Sequence, residues 1–125
     1  MQESLKRLSC AALVLASLMA GNAVAGDVKI VGAEARASGD SWTFSVTLEH
    51  DDTGWDHYAD LWQVFTPDGD LLGERVLHHP HVDEQPFTRS LSGVKVPEGI
   101  NEVVIKARDS VHGVSAQEFR ITLKQ

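Results

Sequence analysis

The chain has 125 residues, with 11 Lys and Arg against 18 Asp and Glu and a formal net charge of −7. That length holds one small domain, and the acidic balance argues against nucleic-acid binding, which needs a basic surface for phosphate. Cys10, Met1 and Met19 are the sulfur-bearing residues and all precede residue 26, so the remainder can form no disulfide, thiolate zinc site, blue-copper site or Met-bound Cu(I) site.

In chain order, the first segment reads as a secretory leader. Lys6 and Arg7 precede an apolar run from Ala11 to Ala20, a Gly21-Asn22 break and the small-x-small step Ala23-Val24-Ala25. Cleavage is expected after Ala25, leaving residues 26–125 as one periplasmic or secreted domain with no membrane insertion. A spanning helix would need about 20 apolar residues. Cys10 precedes the apolar run instead of ending it, which argues against a lipid anchor at that position. Removal of Lys6, Arg7 and Glu3 leaves 9 cationic side chains against 17 acidic ones.

Beyond the leader, seven runs have the period of a half-buried strand: Val28 to Ala35, Trp42 to Leu48, Tyr58 to Phe65, Leu71 to His79, Phe87 to Val96, Glu102 to Asp109 and Ser115 to Leu123. Trp42-Thr43-Phe44-Ser45-Val46-Thr47-Leu48 alternates most clearly. Turn signals separate the runs, among them Ser38-Gly39-Asp40, Pro67-Asp68-Gly69-Asp70 and Pro97-Glu98-Gly99. Seven short strands and no helical period predict an all-β fold: an immunoglobulin-like or fibronectin-III-like antiparallel sandwich, with Trp62 and Val64 facing its core.

If successive strands run antiparallel, the loops sort to two ends. One end carries the three tight turns just named. The other carries Asp51 to His57, Pro80 to Pro86 and Ser110 to Gly113, and with their flanking strand tips these hold all six histidines: His50, His57, His78, His79, His81 and His112. Imidazole and carboxylate groups converging from separate segments are the ligands of a divalent metal. Strand parity sharpens the choice. His50 continues the buried row of Trp42 to Leu48, Asp109 continues that of Val103, Ile105 and Ala107, and Asp60 shares the face of Trp62. His79-Pro80-His81 sets two rings on one side of an extended segment, while His78 has the opposite parity. The expected ligands are His50, His57, His79, His81, His112, Asp60 and Asp109, with at least three imidazoles in one sphere and Cu(II) or Zn(II) as the ion. Trp55 is expected to close over the core as a lid, and Asp52-Thr53-Gly54 reads as a plain turn.

Through Trp55-Asp56-His57-Tyr58-Ala59-Asp60 and His79-Pro80-His81-Val82-Asp83-Glu84-Gln85-Pro86-Phe87 the chain resembles small exported bacterial immunoglobulin-like proteins of unassigned function. The resemblance implies a fold and an exported location, and no activity. No G-x-S-x-G, H-E-x-x-H or cysteine nucleophile follows the leader, so an enzyme is not expected. The expected function is a soluble metal carrier or buffer. The alternative is a metal-free interaction module whose histidine end docks a protein or a glycan through Trp55 and Tyr58.

Overall fold

The computed structural model describes residues 27–124; the expected leader, residues 1–25, lies outside them. The described residues form eight strands and no helix: β1 (Lys29–Ser38), β2 (Ser41–Glu49), β3 (Ala59–Phe65), β4 (Leu71–Val76), β5 (Phe87–Val94), β6 (Glu102–Asp109), β7 (Gly113–Val114) and β8 (Phe119–Thr122). They make two antiparallel sheets, one ordered β1-β2-β5 and the other β4-β3-β6-β7 with β8 also paired to β6.

Alternation places one face of each strand inward. Trp42, Phe44, Val46 and Leu48 of β2 meet Trp62 and Val64 of β3 and Val103, Ile105 and Ala107 of β6, with Ile30, Leu77 and Phe87 closing the core. Each fully buried large side chain contributes roughly 1.5–3 kcal/mol. The opposite face of β2 pairs its hydroxyls with those of β5: Thr43 with Ser92, Ser45 with Ser90 and Thr47 with Thr88, at 3.2, 2.8 and 2.7 Å.

Two expectations need correction. Of the run expected as one last strand, Ser115 to Leu123, only β8 is strand; β7 precedes the run, and residues 115–118 lie between the two. Ser115 and Gln117 turn toward β1 there. The Ser115 hydroxyl donates to the Val28 carbonyl, and the Gln117 amide both accepts from Ile30 N–H, at 2.8 Å, and donates to Ile30 C=O, at 3.0 Å. A side-chain amide thus takes the place of a neighbouring strand at the edge of β1. Asp60 is the second correction. The pairing of β3 with β6 shifts between Ala59 and Leu61, and this bulge reverses parity at Asp60. Its carboxylate accepts from Arg108 Nε and Nη2, at 2.9 and 3.1 Å.

Phe44 is fully buried at the centre of β2. Phe44→Ala is expected to lower unfolding stability by about 3–5 kcal/mol, read from the denaturant midpoint at unchanged m-value.

Candidate metal centre

The loops β2–β3, β4–β5 and β6–β7 meet at one end of the two sheets, where the inward rows of β2 and β6 terminate in polar residues. His50 follows β2 and Asp109 ends β6, and their side chains are fully buried. The β2–β3 loop folds back on itself: Thr53 N–H donates to His57 C=O and His57 N–H to Gly54 C=O, at 3.0 and 3.1 Å. Gly54 has φ of 147°, where an L side chain is strained. This turn brings the His57 ring to 4.9 Å from that of His50, centroid to centroid.

Asp52 ties the loops together. Its Oδ1 faces His50 Nδ1 in a short contact and accepts from Ala59 N–H at 3.0 Å, while Oδ2 accepts from His81 N–H at 2.8 Å. Gln85 adds a second tie, accepting from His50 N–H and donating to His81 C=O, at 3.0 and 2.9 Å. An ionised carboxylate can only accept, so this contact favours the His50 tautomer that carries its proton on Nδ1 and turns Nε2 toward Asp109. That Nε2 lies 3.4 Å from Asp109 Oδ2. A carboxylate behind a histidine, fixing its tautomer and aim, is the usual support of a metal-ligating imidazole.

Asp109 is the centre of the cluster. Oδ1 accepts from the backbone N–H groups of Val111 and His112, and Oδ2 faces three imidazole nitrogens: His112 Nδ1 at 3.1 Å, His50 Nε2 at 3.4 Å and His57 Nε2 at 3.7 Å. Burial pushes the Asp109 carboxyl up, but the hydrogen bonds from His112 backbone and ring and from Val111, with the His112 charge, outweigh it. The net shift is below the ordinary carboxylate value. His57 Nε2 is buried and has no hydrogen-bond partner, an arrangement that ordinarily costs about 1–3 kcal/mol.

Among the described residues, the donor atoms of His50, His57 and Asp109 lie within 4.8 Å of one another, and so do those of Asp27, Asp109 and His112. Metal–ligand bonds of about 2.0–2.2 Å set tetrahedral ligand atoms roughly 3.3–3.6 Å apart. The His50 and His57 distances to Asp109 are close to that. Two imidazoles, not three, share the first group, because His112 falls in the second.

The remaining expected ligands point elsewhere. The His79 and His81 rings lie 4.6 Å apart, His81 stacks on Phe87 at 4.0 Å, and His81 Nε2 is 2.8 Å from Arg89 Nη2. Burial, then the Arg89 and His79 charges, lower the His81 pKa against the opposing pull of Glu84 and Asp52. His78 is exposed, and Asp60 is held by Arg108. Trp55 is 68% exposed and meets the edge of Tyr58, at 5.7 Å, so it does not form the expected lid. Sequence reasoning missed Asp52 and Asp27. Asp52 carried a usable signal, since it stands two residues after His50, in the same spacing as His79 and His81. Asp27 carried only its place, directly ahead of β1 at the histidine end.

No family model matches the chain. A protein of Halomicrobium mukohataei named "Putative lipoprotein" is 52% identical over 81 residues, which are 65% of this chain and 39% of that protein. The chain therefore spans about two fifths of that relative's length. The crystal structure of a hypothetical protein from Pyrococcus horikoshii superposes with a TM-score of 0.52 at 14% identity, covering 78% of this chain and 88% of that one. That likeness is one of fold.

Two outcomes follow from the hydrogen bonds and charges of this end. Asp52→Ala leaves three donors without their acceptor and is expected to cost at least about 2 kcal/mol, measured by chemical denaturation. His81 has a folded pKa below its unfolded value of about 6.5. Its contribution is therefore present above pH 6.5 and disappears as pH falls through the lower folded value, where the unfolded chain binds the extra proton. Thermal melts should show stability declining below about pH 6.5, with a shallower decline in His81→Asn.

Proposed function

We propose that the protein is an exported binder of a divalent ion, Zn(II) or Cu(II), held by His50 Nε2, His57 Nε2 and Asp109 Oδ2, and that it carries or buffers the ion without catalysing a reaction. The observation that carries this reading is the convergence of these three atoms on one point, with Asp52 orienting His50 from behind. His57 Nε2, buried without a hydrogen-bond partner, and His50 Nε2 both face the Asp109 carboxylate, whose negative charge favours a cation at that point. An N,N,O set suits Cu(II) and Zn(II) better than the earlier divalent ions. The carrier reading is favoured by how the neighbouring groups are used: Asp52 is committed to three donors, and the Ser110 hydroxyl accepts from Tyr58 N–H.

The leader pattern supports a periplasmic or secreted location, and the lipoprotein name of the Halomicrobium relative agrees with export. The strand orders β1-β2-β5 and β4-β3-β6 support an immunoglobulin-like or fibronectin-III-like sandwich. Exposure of Trp55 beside Tyr58 favours a second reading, a metal-free module that docks a protein or glycan with this end.

Elemental analysis and thermal melts of the purified protein test the proposal. Zn(II) or Cu(II) should raise Tm at pH 7.5 with the logarithm of free ion above Kd. The effect should weaken at pH 5, where protons compete for the imidazoles. His50→Ala and His57→Ala should each abolish it. Absence of a shift with either ion at pH 7.5 would replace this reading by the second.

A further inference from the structure

We infer that the centre is built for two divalent cations that share the Asp109 carboxylate, an inference that rests on the metal-binding reading above. His112 carries it. Its Nδ1 lies closest of the three imidazole nitrogens to Asp109 Oδ2, at 3.1 Å, yet its donor atom groups with Asp27 and Asp109 and not with His50 and His57. The two triples have one residue in common. His57 and His112 are neighbours, with ring centroids 5.0 Å apart, but the donor atoms of His50, His57, His112 and Asp109 do not all lie within 4.8 Å of one another.

Asp109 is shaped for bridging. Two backbone N–H groups occupy Oδ1, so Oδ2 is the atom turned to the imidazoles. A carboxylate oxygen has two lone-pair directions. One can serve an ion on the His50 and His57 side and the other an ion on the Asp27 and His112 side. Ions joined in this way lie about 3.5–4 Å apart.

The two positions differ in chemistry. The first has two imidazoles and the shared carboxylate. The second has one imidazole and two carboxylates, counting Asp109 in both, so it accepts harder ions more readily than the first. It is also the more open. Asp27 is half-buried and lines a surface cleft with Lys29, Glu49, His50, Asp51 and Gln85. Three carboxylates against one lysine give that cleft a negative field that raises the local concentration of cations.

Cu(II) is the probe, because two copper ions on one carboxylate oxygen couple magnetically. The purified protein is titrated with Cu(II), bound metal is counted by elemental analysis after desalting, and the EPR signal is integrated. The expected result is two equivalents, an integrated signal below the total copper, and a half-field transition. Asp27→Asn and His112→Ala, each checked for an unchanged β-type circular dichroism spectrum, should bind one equivalent with full single-ion intensity.

One equivalent in the wild-type protein, unchanged in Asp27→Asn, would overturn the two-ion inference and leave the metal-binding reading standing. Two uncoupled equivalents that survive both substitutions would put the second ion elsewhere and overturn it equally. No bound copper, with no bound Zn(II) in a parallel titration, would remove the metal-binding reading and this inference with it.

Discussion

Two carboxylates buried at the end of an apolar core set the terms for everything around them. Asp52 and Asp109 are 5% and 1% exposed, and a carboxylate in such surroundings costs several kcal/mol unless its lone pairs are met. The two are met differently. The donors to Asp52 come from His50, from Ala59 at the start of β3 and from His81 in the β4–β5 loop, so satisfying this one group fixes two loops against each other. Asp109 satisfies one oxygen locally, through Val111 and His112 N–H, and turns the other toward imidazoles. The first carboxylate is consumed by structure. The second turns its other oxygen to the rings of His112, His50 and His57.

The parts of this end that were legible in the sequence are those governed by strand period. The row Trp42 to Leu48 runs on to His50, and the row Val103 to Ala107 runs on to Asp109, so alternation alone brings one imidazole and one carboxylate inward from opposite sheets. Antiparallel order likewise gathers the three loops. Parity failed where the ladder is irregular: the bulge beside Asp60 turns that carboxylate out to Arg108. It was equally silent within loops. His79 and His81 do lie together, but Phe87 and Arg89 claim the His81 ring, and both partners sit in or at the start of β5, across a turn that the sequence pattern does not aim. Asp52 looked like turn chemistry despite its two-residue spacing from His50, because its other two donors are backbone amides, which have no sequence signature. Gln117 was hidden for the same reason, since nothing in a polar residue near the last strand announces that its amide will replace a strand against Ile30.

Burial divides the cluster into two halves with different mechanical character. His50 and Asp109 have fully buried side chains, whereas those of His57 and His112 are 24% and 36% exposed. The inner pair is held by Asp52, Gln85 and two backbone amides. The outer pair sits on loops, His57 in the folded-back turn at Gly54 and His112 just before Gly113, whose φ is 79°. A site with a fixed inner half and an outer half near solvent can admit an ion by small movements of its outer ligands while the inner ones keep their geometry. Under the proposed metal-binding reading, this division suits reversible binding better than a fully enclosed structural ion, whose ligands would all be expected to be buried.

The same asymmetry bears on how the fold tolerates the cluster without an ion. His57 Nε2 lacks a hydrogen-bond partner and faces Asp109 Oδ2 across 3.7 Å, an approach that favours a proton on that nitrogen or a cation in the gap. Among the described residues, Arg108 is engaged by Asp60, and Arg89 faces His81 and Glu84. Nor can the core relieve the contact by moving, since Asp109 is anchored by its own turn and β6 is paired on both sides. What the sheets contribute is therefore rigidity in an arrangement that the residues alone would not choose. They hold imidazoles close to the Asp109 carboxylate, a geometry in which its negative charge favours a cation over a neutral filler.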